Sequence, residues 1–107
     1  MTEDEIREEI KKGLNIDWNH ISSYQKLSEK FIREFSDKVD WYYISFHQKL
    51  SEEFIREFSD KVYWVYISSS QKLSEKFIRE FADRVNWNFI PLCYFKIFYK
   101  RNWKTFL

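Results

Sequence analysis

The stretch Trp18–Asp40 reads WNHISSYQKLSEKFIREFSDKVD, and it returns twice, over Trp41–Tyr63 and Trp64–Asn86. A fourth copy begins at Trp87 and then degenerates. Fifteen of the 23 positions are identical in all three full copies. Self-similarity at a short fixed period marks a repeat array. Could the copies string into one continuous helix? At about 100° per residue, 23 residues turn the chain six times plus roughly 140°. Successive copies would then face different directions, and no common apolar stripe could form. A coiled coil fails for the same reason, because 23 is not a multiple of 7. The helix must break within each copy, and at the same places.

The break points are legible in the capping residues. Ser28, Ser51 and Ser74 each precede a Glu and an apolar-periodic segment. Serine is a good N-cap, and an acid in the first turn suits the helix dipole. Leu27 and Ile32 then stand at N′ and N4, the spacing of a hydrophobic staple, as do Leu50 with Ile55 and Leu73 with Ile78. A second start precedes each Trp. Asp17, Asp40 and Asn86 are N-cap types there, whereas Tyr63 is not. Ile16 with Ile21, Val39 with Ile44, Val62 with Ile67 and Val85 with Ile90 repeat the staple. Each repeat is therefore expected to hold helix A, from Trp18 to about Gln25, and helix B, from Glu29 to about Asp37. Such helices are too short to persist alone and must stack on their neighbours. The expected fold is all-α, a short α-solenoid of helix-turn-helix repeats with cap helices at both ends. Residues 1–16 form the N-terminal cap, 17–39, 40–62 and 63–85 the full repeats, and 86–107 a degenerate repeat and C-terminal cap.

The N-terminal cap has its own signals. Thr2 with Glu5 makes a capping box, Lys11 and Lys12 fall in the last turn, and Gly13 suits the position after the cap. Glu5-Ile6-Arg7-Glu8-Glu9 echoes Phe31-Ile32-Arg33-Glu34-Phe35, with both Phe positions changed to Glu. A repeat-like helix with a polar outer face is what the end of an array needs. In the fourth copy Pro91 replaces the helix-A Ser and Tyr94 replaces the Gln. Proline at that depth removes a helical hydrogen bond. The following segment carries Lys96, Lys100, Arg101 and Lys104 among many aromatics and no acid. It reads as a C-terminal cap helix, with a self-association surface or a membrane-surface or nucleic-acid patch as alternatives.

Within helix B, Phe31, Ile32, Phe35 and Val39 share one arc of the wheel, and the charged residues lie outside it. Glu29–Arg33 and Glu34–Lys38 have the spacing of i,i+4 pairs on a solvated face. Within helix A, Trp18, Ile21, Ser22 and Gln25 share a face, and the same types recur in the next two copies. Trp and Ile belong to the core, and the small Ser permits close helix approach. A buried amide without partners would cost about 1–3 kcal/mol. The Gln is therefore read as a ladder bonded to backbone, with a polar ligand row as the alternative.

The positions that vary among copies are mainly the second, third, sixth and seventh. They span about 140° of helix A, opposite the Trp/Ile/Ser/Gln face. Stacking aligns them into one lane that holds His20, Tyr24, Tyr42, Tyr43, Phe46, His47, Tyr66 and Phe89. Exposed aromatics are typical anchors at protein interfaces. The lane is expected to bind a protein partner; packing against the tail or a second copy is the alternative.

Composition narrows the classes. Of 107 residues, 44% are hydrophobic and one each is Gly and Pro, so a core is affordable and an all-β fold is not. Eighteen bases against 17 acids leave a net charge of +1, which argues against a dedicated nucleic-acid binder. Cys93 is the only cysteine, which fits a reducing, cytoplasmic setting, and the acidic N-terminus is no signal peptide. No apolar run approaches the ~20 residues of a membrane span. There is no phosphate loop, no CxxC, no HExxH and no nucleophile elbow. His20 and His47 occupy different repeat positions, which argues against a shared metal site. No enzymatic role, metal or cofactor is expected.

The pattern W-x2-I-S-x2-Q-K-L-S-E-x-F-I-R-E-F-x-D-x-V stands at Trp18–Val39, Trp41–Val62 and Trp64–Val85, about two-thirds of the chain. It resembles tandem repeats in proteins encoded by large DNA viruses, phages and some bacteria. The resemblance attaches no activity. It implies a virus- or mobile-element-encoded accessory protein, of a kind that often binds and blocks a host factor inside the cell.

Overall fold

A computed structural model describes residues 1–91. Helix α1 (Glu3–Lys11) leads into three repeats, α2 (Trp18–Tyr24) with α3 (Glu29–Glu34), α4 (Trp41–His47) with α5 (Glu52–Glu57), and α6 (Trp64–Ser70) with α7 (Glu75–Glu80). A 3-10 helix, Trp87–Phe89, opens the fourth copy. The A helices form one row, with α2 against α4, α4 against α6, and α6 against the 3-10 helix. The molecule is elongated, with extents of 58 × 19 × 18 Å. This is an all-α, short helical-repeat solenoid.

The breaks fall where the capping residues put them. Ser28, Ser51 and Ser74 accept from the N–H groups of Phe31, Phe54 and Phe77, each at 3.1 Å. Asp17 accepts from the His20 N–H, Asp40 from Tyr42 and Asn86 from Asn88. Tyr63 makes no side-chain cap bond. Thr2 and Glu5 close the capping box on α1. Gly13 adopts φ 76, and the N–H groups of Gly13 and Leu14 return to Ile10 and Glu9, a Schellman ending. Ile90 is extended before Pro91, whose ring disfavours a helical residue ahead of it. The expected C-terminal cap helix falls beyond Pro91, outside the described residues.

Helix B is shorter than the periodicity predicts. It ends at Glu34, not near Asp37, and Phe35–Val39 close as a turn with Lys38 and Val39 both donating to the Phe35 carbonyl. The turn brings Val39 into the core and lets the following Trp reach back. Trp41, Trp64 and Trp87 donate Nε1 to the carbonyls of Ser36, Ser59 and Ala82 at 2.9–3.0 Å. An indole five residues downstream thus satisfies a carbonyl that a longer helix would have used internally.

The core runs along the seam between the two rows. Phe31, Phe54, Phe77, Ile6, Ile32, Ile44, Ile55, Ile67 and Ile78 are fully buried, and the Trp rings pack half-buried over the Phe pairs. Ile6 of α1 takes the place of Ile32, so α1 stacks as a helix B ahead of the first repeat. The Gln ladder is present. Gln48 accepts from the Leu27 N–H at 3.0 Å and donates to the carbonyls of Ser22 and Gln25 at 2.9 and 2.6 Å. Gln71 does the same one repeat on, with Leu50, Ser45 and Gln48. The helix-A serines do more than allow close approach. Ser22, Ser45 and Ser68 accept from the N–H groups of Asp40, Tyr63 and Asn86, the residues that head the next helix A.

The charged face is wired mainly between repeats, with pairs along one helix at Arg7–Asp4 and Lys11–Glu8 of α1. Arg33 does not bond Glu29 but forks onto Glu57, and Glu34 bonds not Lys38 but Arg7. Arg56 and Glu80 make the third rung, and the three guanidinium groups sit 5.2–5.5 Å over Phe31, Phe54 and Phe77. Because helix B stops early, position 38 is in the turn and cannot serve as an i,i+4 partner. Only at the end of the array does Arg79 bond its own i,i+4 acid, Glu75. Glu3, Glu29 and Glu52 are instead taken by the next capping serine, each accepting from the N–H and hydroxyl of Ser28, Ser51 and Ser74.

Truncating Gln48 to Ala is expected to destabilise the fold by about 2–4 kcal/mol, because it strands buried backbone groups at three points. Gln25→Ala should cost much less, since its carboxamide bonds no other described residue; denaturant unfolding of both variants checks the difference. Acid should also loosen the array. The Arg33 and Arg56 forks hold Glu57 and Glu80 below their ordinary value of 4.5. A depressed carboxylate stabilises above that value and loses its contribution as pH falls through the folded pKa. Unfolding midpoints should therefore drop below about pH 4.5, and less steeply in Glu57→Gln.

Candidate interaction surface

The helix-A lane is set by the same bonds that fix the stack. With Ile, Ser and Gln turned to the neighbouring helix and Trp to helix B, the second, third, sixth and seventh positions are left outside. His20, Tyr24, Tyr42, Phe46, His47 and Phe89 are exposed, and Tyr43 and Tyr66 are half-buried. Tyr24 is 78% exposed, the highest among the exposed large apolar side chains of the described residues.

The lane is continuous across α4 and α6. Tyr42 meets Tyr66 edge-on at 4.8 Å between ring centroids, and Phe46 meets Tyr66 at 5.0 Å. Tyr43 and Phe46 both contact the His47 ring. On α2, His20 and Tyr24 lie 4.9 Å apart. His20, Tyr24, Tyr43 and His47 line one open groove of about 330 Å³ with Asp17 and Ser23. Phe89 stands apart, at the mouth of a separate hollow beside Ser68, Gln71 and Ile90. Lys96, Lys100, Arg101 and Lys104 fall outside the described residues.

Sequence reasoning missed one member. Tyr63 is 48% exposed and packs edge-on against Tyr42 at 5.7 Å. Its signal was a tyrosine at a position where the other copies carry Asp or Asn. That exchange gives up a cap hydrogen bond, worth about 1 kcal/mol, and extends the aromatic cluster.

The polar chemistry of the lane is modest. The Tyr66 hydroxyl donates to the Tyr42 oxygen at 2.8 Å. That bond, with some desolvation, holds the Tyr66 phenol above its ordinary range. Among the described residues no three His, Cys, Asp or Glu side chains are placed to hold a metal ion. No helix among them is long and apolar enough to cross a membrane. No family model, no curated protein and no solved structure matches the chain.

Tyr42→Phe removes the acceptor for the Tyr66 hydroxyl. The Tyr66 phenol should then titrate at lower pH than in the parent protein, read from its ring-carbon chemical shift; an unmoved titration would deny the bond in solution.

Proposed function

We propose that this chain is a non-enzymatic protein-binding repeat module whose partner lies along the helix-A lane. The observation that carries the reading is the aromatic cluster of Tyr42, Tyr43, Phe46, Tyr63 and Tyr66. It occupies positions that stacking leaves free and that the three copies fill differently. Two of its members, Phe46 and Tyr63, are nearly half exposed, although burial of such rings is worth about 1.5–3 kcal/mol each. Aromatic residues on a rigid scaffold are the usual anchors of a protein interface. The repeat resemblance extends the proposal to an intracellular, virus- or mobile-element-encoded accessory protein that acts by occupying a host factor. Binding alone would suffice for that, with no cofactor and no chemistry.

Replacing Tyr43 and Phe46 together by Ser should leave the unfolding transition within about 1 kcal/mol, since both lie off the packed seam. The same variant should lose a partner captured by the parent protein in pull-downs from host extract. Undiminished capture would place the interface elsewhere.

A further inference from the structure

Most residues common to the three copies have a place in the stack. Trp, Ile, Leu, Phe and Val fill the core, and Ser, Gln, Glu and Arg bond across repeats in at least two of the copies. Two residues do not. The exposed Asp37, Asp60 and Asp83 sit in the turn after helix B, which suits that residue type. The other is the lysine that follows the Gln: Lys26, Lys49 and Lys72. All three are exposed. No ion pair or hydrogen bond joins their ammonium groups to another described residue. A helix end favours a cation only within its last turn. These lysines lie beyond the C-cap glutamines, so the dipole does not require them.

The lysines border the lane. Lys49 and Lys72 line a groove of about 360 Å³ with Phe46, His47 and Ser70, and no carboxylate lines it. The aromatic lane is thus bordered at α4 and α6 by cations that no described carboxylate pairs, and the repeat puts Lys26 at the matching position after α2. Adjacent packed helices lie about 8–10 Å apart, which sets the spacing of the three lysines. A polyproline II strand advances about 3.1 Å per residue with three residues per turn, so every third side chain falls on one face about 9 Å apart. A β-strand puts same-face side chains about 7 Å apart and drifts out of step. Aromatic-lined grooves are also the usual seat of polyproline II segments.

We propose that the lane binds an acidic segment in polyproline II conformation, with a carboxylate at every third residue facing Lys26, Lys49 and Lys72 and the intervening residues on the aromatic cluster. This inference rests on the lane being the protein-binding face and names the chemistry of the partner. Nucleic acid fits less well, because the net charge is only +1.

The test is fluorescence anisotropy of a labelled peptide of repeated Glu-Pro-Pro triplets against the full chain. Binding is expected, weakening with added salt, and falling about tenfold or more in the Lys26→Gln, Lys49→Gln, Lys72→Gln triple variant. The triple variant should unfold at the parent midpoint, because the three side chains are exposed; Lys49→Gln alone should show part of the loss. A Gln-Pro-Pro peptide, and a peptide of the same composition with its glutamates clustered, should both bind more weakly. Equal binding by the clustered peptide, or by the triple variant, would overturn the inference. So would tighter binding of a single-stranded oligonucleotide at the same salt. These results leave the lane itself to the Tyr43 and Phe46 variant: partner capture lost there, with no peptide binding, sinks only the acidic-segment inference. Peptide binding that survives loss of those two rings means the lysines act without the lane, and the acidic-segment inference fails while the lane reading stands or falls by partner capture.

Discussion

The carboxamide of Gln48 sits where the structure is most exposed to failure. A 23-residue repeat must interrupt its helix twice, and each interruption orphans backbone groups that a continuous helix would have paired. Between α2 and α3 those groups are the carbonyls of Ser22 and Gln25 and the N–H groups of Leu27 and Ser28. Gln48 takes three of them from the following repeat, and Glu3 takes the fourth from the preceding helix B. The break is thus sealed from both sides by neighbours and not by the repeat that contains it. The Trp indoles and the Ser hydroxyls do the same for the break after helix B. Helices of six or seven residues have little stability of their own. Their persistence here depends on this exchange, which makes the fold a chain of nearest-neighbour contacts.

That dependence explains what could be read in the sequence. Caps, staples and the polar end helix are local signals, and residues a few positions apart specify them. The Gln ladder was legible because a recurrent amide on an apolar face demands partners. The misread features are those in which a neighbour outcompetes a local partner. Glu29 and Arg33 have good i,i+4 spacing, yet each finds a better partner one repeat away, a capping serine for the acid and a forked carboxylate for the base. Helix B stops at Glu34 because the Phe35–Val39 turn gives the next Trp a carbonyl to bind, a gain invisible within one repeat. Tyr63 escaped notice because a missing cap reads as a defect until its ring is seen against Tyr42.

The same division shapes the lane. Bonds and packing between repeats occupy the first, fourth, fifth and eighth positions of helix A, so change there disturbs two repeats at once. The second, third, sixth and seventh carry no such obligation, and the copies diverge there. The lysine at the ninth is the reverse case, held constant without an obligation to the stack.

Position along the array matters as well. In a nearest-neighbour fold the inner units are held on both faces, and the ends open most readily. The aromatic cluster is centred on α4 and α6; α4 packs between α2 and α6, and α6 between α4 and the 3-10 helix. The α2 segment of the lane offers His20 and Tyr24, and Phe89, just before Pro91, makes no ring contact with another described residue. Ring-to-ring contacts such as Tyr42–Tyr66 and Phe46–Tyr66 cross from one repeat to the next, so they keep their geometry only where both repeats stay closed. Placing the anchors over the doubly flanked pair limits the ordering that a partner would otherwise have to impose, which is how a short array of weak helices can present a preorganised surface.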